Sequence, residues 1–182
     1  MTTDLDARAG LPDALRALLA AHPRAGWEAH PEYGALTRFW LDRHLGFRRL
    51  LGAMRGDARG ALDGGPVRRD RLARMGGTFL QELHGHHGIE DRVYFPKMLA
   101  LAPRLERGFA ILDADHHRLD AELAAFADAA NAVLRAEGDA RDALGGLEGA
   151  LGRMDRLLDR HLADEEDLIV PVILEVGEGR LG

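Results

Sequence analysis

A histidine followed four residues later by a glutamate occurs twice in this chain, and both copies continue to a proline. The first copy spans residues 86–96 and reads HHGIEDRVYFP, and the second spans 161–171 and reads HLADEEDLIVP. On a helix, positions i and i+4 lie on one face a single turn apart, so each imidazole and its carboxylate point to the same place. Two such pairs on neighbouring helices can share a metal centre.

Four segments of the chain carry apolar residues at alternating spacings of four and three, which is typical of helices that bury one stripe in a bundle. The predicted helices span about 34–55, 67–93 and 105–136, and a fourth follows Asp139, a good N-cap. Ionisable residues also occupy this stripe, namely His44, His86, Glu90, His116, His161 and Glu165. We therefore expect these side chains to point into the core.

The pattern predicts an all-α protein, an up-down-up-down four-helix bundle with a short additional N-terminal helix. We expect residues 1–33 to form that short helix and a surface loop packed on the bundle, and residues 34–182 to form the bundle itself. The glycine-rich stretch 56–66 is predicted to be the first interhelical connection, with an extra helical turn at 58–62 as an alternative. Pro96 is predicted to end or kink the second helix.

Composition narrows the classes of function. The chain has 182 residues, 46% of them hydrophobic, which fits one domain with a sizeable core. A net charge of −6 without a long basic run argues against nucleic-acid and membrane partners. The absence of cysteine excludes cysteine-ligated metals and thiol nucleophiles. No basic leader or bilayer-length apolar run occurs, so we expect a cytoplasmic protein.

Four histidines and two glutamates in one apolar core each need a buried partner, and a shared metal centre would satisfy them together. Six ligands exceed what one tetrahedral zinc uses, and carboxylates are good bridges between two ions. A mixed nitrogen and oxygen shell in a helical bundle favours two iron ions, with manganese or zinc as alternatives. The Glu-x-x-His order of ferritin-like bundles is absent, since here the histidine precedes the glutamate by four residues.

The arrangement resembles the hemerythrin-like, or HHE cation-binding, family over about residues 34–175. The resemblance implies metal ligands at His44, His86, His87, Glu90, His116, His161 and Glu165, and the Tyr94-Phe95-Pro96 ending is also family-like. It implies a non-haem di-iron protein that binds O₂, NO or iron for sensing, storage or stress response. The small ligand would be the main partner, and both a homodimer and an unidentified output protein are compatible with this function.

Two positions depart from oxygen-carrying hemerythrins. Asp120 stands where those carriers have a second histidine in the third helix, and Glu165 lies four residues after His161, whereas the carriers have an aspartate at five. The shell is therefore less histidine-rich unless His87 or His117 joins it. His87 is the stronger candidate because it adjoins the buried stripe, and its participation would make the two metal positions inequivalent. Such a pair leaves one metal with an open position for O₂, NO or peroxide.

Other polar residues near the motifs are expected outside the metal shell. Asp164 and Asp167 are expected on a solvated face, and His84 in a surface or outer position. Tyr94 would either hydrogen-bond Glu90 or simply pack beside it.

Two alternative functions stay open. One is a di-iron enzyme acting on peroxide or nitric oxide, although no dedicated acid or base, glycine-rich cofactor loop or redox thiol is evident in the sequence. The other is a metal-free helical interaction module, in which buried histidines pair with buried acids and metal adds no stability.

Overall fold

The computed structural model describes residues 2–181 and contains helices but no strand among them, which confirms the all-α prediction. The α-helices are α1 (Ala17–Ala21), α2 (Ala35–Leu62), α3 (Arg69–Ile89), α4 (Phe95–Leu101), α5 (Glu106–Arg135) and α6 (Arg141–Val176). A π-helical turn, Glu90–Tyr94, joins α3 to α4, and short 3₁₀ turns cover Asp13–Leu15, Arg24–Ala29, Pro103–Leu105 and Glu178–Arg180. No helix in this described part of the chain is long and apolar enough to cross a membrane.

The four long helices pack around a shared interior. Helix α2 contacts α3 and α6, and α5 likewise contacts α3 and α6, so each long helix has two long neighbours. Their apolar stripes form two core clusters, one around Phe47, Phe79 and Phe126 and the other around Trp40 and Phe95. The polar stripe positions fall between these two clusters, so the candidate site is enclosed by apolar core at both ends.

The glycine-rich stretch 56–66 is mostly helical, contrary to the prediction, because α2 continues through it. A Cβ at Gly56 or Gly60 would meet nothing within 4 Å, so these glycines lie on an open face of the helix. Ala58 packs in the core and anchors this last part of α2. The connection to α3 is correspondingly short and turns at Gly64, whose φ of 96° suits glycine.

Pro96 does not end the helix, contrary to that part of the prediction. The helix is instead irregular just before Pro96, at the π turn Glu90–Tyr94, where it widens by about one residue per turn. The Phe95 N–H donates to the Glu90 carbonyl five residues back, and Pro96 then lies in the first turn of α4, where a missing N–H costs little. The chain therefore remains helical to Leu101.

The third and fourth long helices agree with the predicted positions to within a few residues. Helix α5 spans the predicted 105–136 almost completely. The N-cap of α6 is Ala140 rather than the predicted Asp139, which lies one residue earlier and accepts the N–H of Arg141 at 2.9 Å. Helix α6 passes through Pro171 and ends at Gly177, which has a φ of 84°.

The N-terminal segment lies along α6, which α1 contacts. Residues 24–33 are not simply a surface loop as predicted, since Arg24–Ala29 forms a 3₁₀ turn and buries Trp27 against Val170. Leu11 is fully buried in the core cluster around Trp40. The predicted domain boundary between residues 33 and 34 stays a prediction.

Candidate metal centre

All seven side chains predicted as ligands come together in the bundle interior and are buried. They form two adjoining groups. The two-histidine group consists of His44, His86, Glu90 and Glu165, and the three-histidine group consists of His87, His116 and His161. Within each group the potential ligand atoms all lie within 4.8 Å of one another, a separation that one metal ion can span.

The adjacent histidines of α3 belong to different groups. Consecutive helical residues point about 100° apart, so His86 faces α2 while His87 faces α5 and α6. His86 Nε2 lies 3.1 Å from His44 Nε2, and the His87 ring stacks on the His116 ring at 4.1 Å between centroids. The structure therefore places His87 in the interior, where it makes the two groups inequivalent.

Glu90 lies between the two groups, with one oxygen directed to each. Its Oε1 lies 2.9 Å from His86 Nε2, and its Oε2 lies 3.6 Å from His116 Nε2. The π turn begins at Glu90, so the local widening of the helix occurs where this carboxylate enters the core. Such π turns often occur at functional sites.

Glu165 from α6 occupies the corresponding position on the other side. Its Oε1 lies 3.5 Å from His44 Nε2, and its Oε2 lies 3.4 Å from His161 Nε2. The Trp40 indole N–H also donates to Oε1. Both glutamates can thus bridge two ions, one in each group.

Several buried polar atoms of the cluster make no hydrogen bond. They are both ring nitrogens of His87, both carboxylate oxygens of Glu90, His116 Nε2, His161 Nε2 and Glu165 Oε2. Glu90 Oε1 belongs to this set despite its short distance to His86 because the angles do not suit a hydrogen bond. A buried polar atom without a partner is costly, so this concentration at one place fits a site completed by metal ions.

Carboxylates outside the cluster orient three of its histidines. The Nδ1 of His44 donates to Glu166 at 3.0 Å. His116 Nδ1 donates to Asp91 at 2.8 Å, and His161 Nδ1 donates to Asp115 at 3.2 Å. Because each carboxylate accepts a proton-bearing Nδ1, each ring directs its other nitrogen, Nε2, into the cluster.

Burial and neighbouring charges shift the titration of the cluster. Burial lowers the pKa of His86 to about 3, and burial together with His116 lowers the pKa of His87 well below its ordinary range. Both rings are therefore neutral, the form that binds metal. Burial and the proximity of Glu165 raise the pKa of Glu90 well above normal. Burial disfavours a charged His161, but the hydrogen bond with Asp115 and the nearby carboxylate of Glu165 outweigh it and raise its pKa to about 9.

Asp164 is buried, contrary to the prediction of a solvated face. Its carboxylate accepts hydrogen bonds from Arg8, from Arg160 and from the Leu11 N–H. The prediction failed because Arg8 and Leu11 are more than 150 residues away in sequence and follow no helical period.

The remaining residues considered from sequence lie outside the cluster. His84, His117 and Asp120 are exposed, so His117 and Asp120 do not complete the shell. Tyr94 packs edge-on against Trp40 at 5.0 Å between ring centroids, which agrees with the packing alternative. Asp167 is partly exposed and pairs with Arg24.

Sequence reasoning missed the carboxylates that hydrogen-bond the candidate ligands from outside the cluster. Asp91 beside His116 and Asp115 beside His161 were not considered, and Glu166 beside His44 was given no role. A simple signal was present, since Asp91 follows Glu90, Asp115 precedes His116 and Glu166 follows Glu165. Each acid is the sequence neighbour of one candidate ligand but contacts a ligand on a different helix.

A helical bundle whose interior holds two inequivalent groups of histidines, with two carboxylates between them, is a bundle with a buried candidate metal centre. The family model of the hemerythrin HHE cation-binding domain matches residues 35–173. The chain belongs to this family. Neither a curated protein nor a solved structure matches it.

Proposed function

We propose that this protein is a non-haem di-iron protein that binds O₂ or NO, or iron itself, in sensing, storage or stress response. The observation that carries the proposal is the pair of glutamates, each of which directs one oxygen to each histidine group. Two carboxylates in this position suit two ions rather than one. The unpartnered atoms of His87 and Glu90 support the same conclusion, because metal ligation would satisfy them.

The candidate ligands would be distributed unequally between the two ions. His44 and His86 would hold the first ion, His87, His116 and His161 would hold the second, and Glu90 and Glu165 would serve both. Nitrogen and carboxylate donors without any sulfur fit iron, with manganese and zinc as the alternatives. The order of consecutive contacting helices and the short connection after α2 support the up-down-up-down arrangement expected for such a bundle.

The two-histidine position has fewer protein donors, so we expect an external ligand to bind there. A bound iron pair supplies a redox-active centre with an open coordination position. Trp40 and Phe47 lie beside His86, with ring centroids 6.0 and 5.2 Å from its own. These apolar rings help to keep water away from this side of the two-histidine group.

Metal analysis and the visible spectrum test the proposal. Protein purified without a histidine tag is analysed for metals, and its spectrum is recorded under argon and then under air or nitric oxide. About two irons per chain with a reversible charge-transfer band would support ligand binding. Protein that remains metal-free after incubation with ferrous iron, with unchanged thermal stability, would overturn the proposal.

Catalytic turnover distinguishes the enzyme alternative. If iron is present but the colour change is irreversible and peroxide or nitric oxide is consumed over many cycles, the protein is an enzyme. The metal-free alternative requires every buried histidine to pair with a buried acid. It is disfavoured because the described structure leaves both nitrogens of His87 without a hydrogen bond and places no acid against them.

A further inference from the structure

Arg8 is a buried cation in the part of the chain that precedes the family match. Its side chain is 1% exposed, although arginine is almost never buried without specific partners. The residues matched by the family begin only at 35, so nothing in that match assigns Arg8 a role. Its contacts therefore need their own explanation.

The guanidinium of Arg8 binds the Asp115 carboxylate through two parallel hydrogen bonds. Nη1 donates to Asp115 Oδ1 at 2.7 Å, and Nη2 donates to Asp115 Oδ2. Nε donates to Asp164 Oδ2 at 2.7 Å, and Nη1 also donates to the Thr3 carbonyl at 2.9 Å. A bidentate contact of this kind fixes both the position and the rotation of a carboxylate.

Asp115 carries that orientation to the three-histidine group. The oxygen that Nη2 holds, Oδ2, also accepts the hydrogen bond from His161 Nδ1 at 3.2 Å. The opposite nitrogen of that ring, Nε2, is unpartnered and directed into the cluster. A continuous series of contacts thus runs from Arg8 through Asp115 to a candidate metal-binding atom.

The segment 3–11 is anchored on both sides of Arg8. Leu5 packs in the core cluster around Phe79, and Leu11 packs in the cluster around Trp40. Arg160 binds the Ala9 carbonyl at 2.8 Å. The segment therefore crosses the bundle at the level of the candidate site.

We propose that Arg8 is a positioning residue for the three-histidine metal position, and that segment 3–11 is a strap whose seating is coupled to metal binding there. This inference rests on the proposed dinuclear site. By linkage, a strap that favours metal binding is itself held more firmly when the metal is bound. The effect is specific to one position, because Glu166 beside His44 is held by Arg24 and Arg48 instead.

Cobalt(II) titration of the full-length chain tests the positioning role, since its visible absorption reports the number of ligands. The variants are Arg8→Gln, Arg8→Lys and the control Asp6→Asn. Asp6 lies in the same segment and pairs with Arg118 at a partly exposed site, without contacting Asp115. We expect Arg8→Gln to weaken one cobalt equivalent about 10- to 100-fold and to leave the other unchanged. Arg8→Lys should weaken it less, because lysine keeps the charge but not the fork.

Two results would overturn the positioning role. One is an Arg8→Gln protein that binds both cobalt equivalents like the wild type, and the other is an Asp6→Asn protein that is weakened equally. A wild-type protein that binds no cobalt would instead overturn the proposed metal site.

Hydrogen exchange in the wild-type chain tests the coupling without any variant, so it applies even if Arg8→Gln fails to fold. Amides in the peptide that contains residues 3–11 should exchange more slowly once cobalt is bound. Exchange in this peptide that does not change on cobalt binding would overturn the strap.

Discussion

In the proposed dinuclear centre, His87 is the residue that makes the two metal positions differ, and both of its nitrogens are buried without a hydrogen bond. We expect His87→Phe to reduce metal loading from two ions to one per chain, or to weaken the second by more than about tenfold. Phenylalanine preserves the stacking on His116 but supplies no ligand. Metal content and calorimetric titration measure the effect.

His84→Phe is the matched control for that substitution, since His84 lies on the same helix but is exposed. It should retain both metal ions. Equal loss of metal in the two variants would show that the His87 result reflects disturbance of α3 rather than loss of a ligand.

Glu90 is expected to destabilise the metal-free protein, because its two buried oxygens lack hydrogen bonds. Replacing Glu90 with leucine should stabilise the metal-free chain by about 1–3 kcal/mol and abolish the binding of two metal ions. Urea unfolding in the presence of a chelator measures the first effect, and metal analysis measures the second. A destabilised Glu90→Leu chain would mean that the carboxylate has a favourable role without metal.

At the scale of helices, the apolar period was enough to predict the long elements and the inward position of six of the seven candidate ligands. His87 lies beside the stripe and was predicted from the family resemblance instead. The prediction failed where tertiary packing, rather than the local sequence, determines the backbone conformation. Gly56 and Gly60 do not interrupt α2, because Ala58 between them is anchored in the core. The π turn has no period of its own, so the sequence predicted an irregularity at Pro96 but not its position or form.

The start of α2 is capped by a residue from the far end of the chain. Glu178 accepts the backbone N–H groups of Gly34, Leu36 and Thr37 and the Thr37 hydroxyl. Burial alone would raise the pKa of Glu178, but these hydrogen bonds outweigh it and lower the pKa below its ordinary value of 4.5. Its ionised form therefore stabilises the fold above that value, and the contribution is lost as the pH falls through the lowered pKa.

Glu178→Gln should lower the free energy of unfolding by about 1 kcal/mol at neutral pH. The difference from the wild type should shrink as the pH falls from 4.5 through the lowered pKa, because the wild-type carboxylate becomes protonated over that range. Denaturant unfolding of the metal-free chain at several pH values measures this. Glu137→Gln removes the same charge from an exposed loop and should have little effect at any pH. A pH-independent difference for Glu178→Gln would contradict the carboxylate cap.

For the whole molecule, removal of metal should lower stability and loosen the middle of the bundle first. Metal at about 100 times its dissociation constant would add roughly 2.7 kcal/mol. Chelation should lower the melting temperature and speed hydrogen exchange around Glu90 and His161. Exchange around Phe79 and Phe126, which form core without candidate ligands, should change less. A uniform change along all four helices would contradict a local site.

Long-range contacts set the limit of what the sequence could show about the whole molecule. The ligand stripes are periodic within single helices, so they were visible in the sequence. The contacts of Arg8 with Asp115 and Asp164 join residues 107 and 156 positions apart and have no period. The burial of Asp164 and the role of the N-terminal segment therefore needed the three-dimensional structure.

The acids that hydrogen-bond ligands on other helices restrict where insertions and deletions can be tolerated in this chain. Asp91, Asp115 and Glu166 each adjoin a candidate ligand in sequence while holding a ligand on another helix. An insertion or deletion within α3, α5 or α6 ahead of the candidate ligands would therefore displace the ligands of that helix and also a ligand on a neighbouring helix. Natural length changes should concentrate in the connections and at the helix ends away from the cluster, where they leave this cross-helix pairing intact.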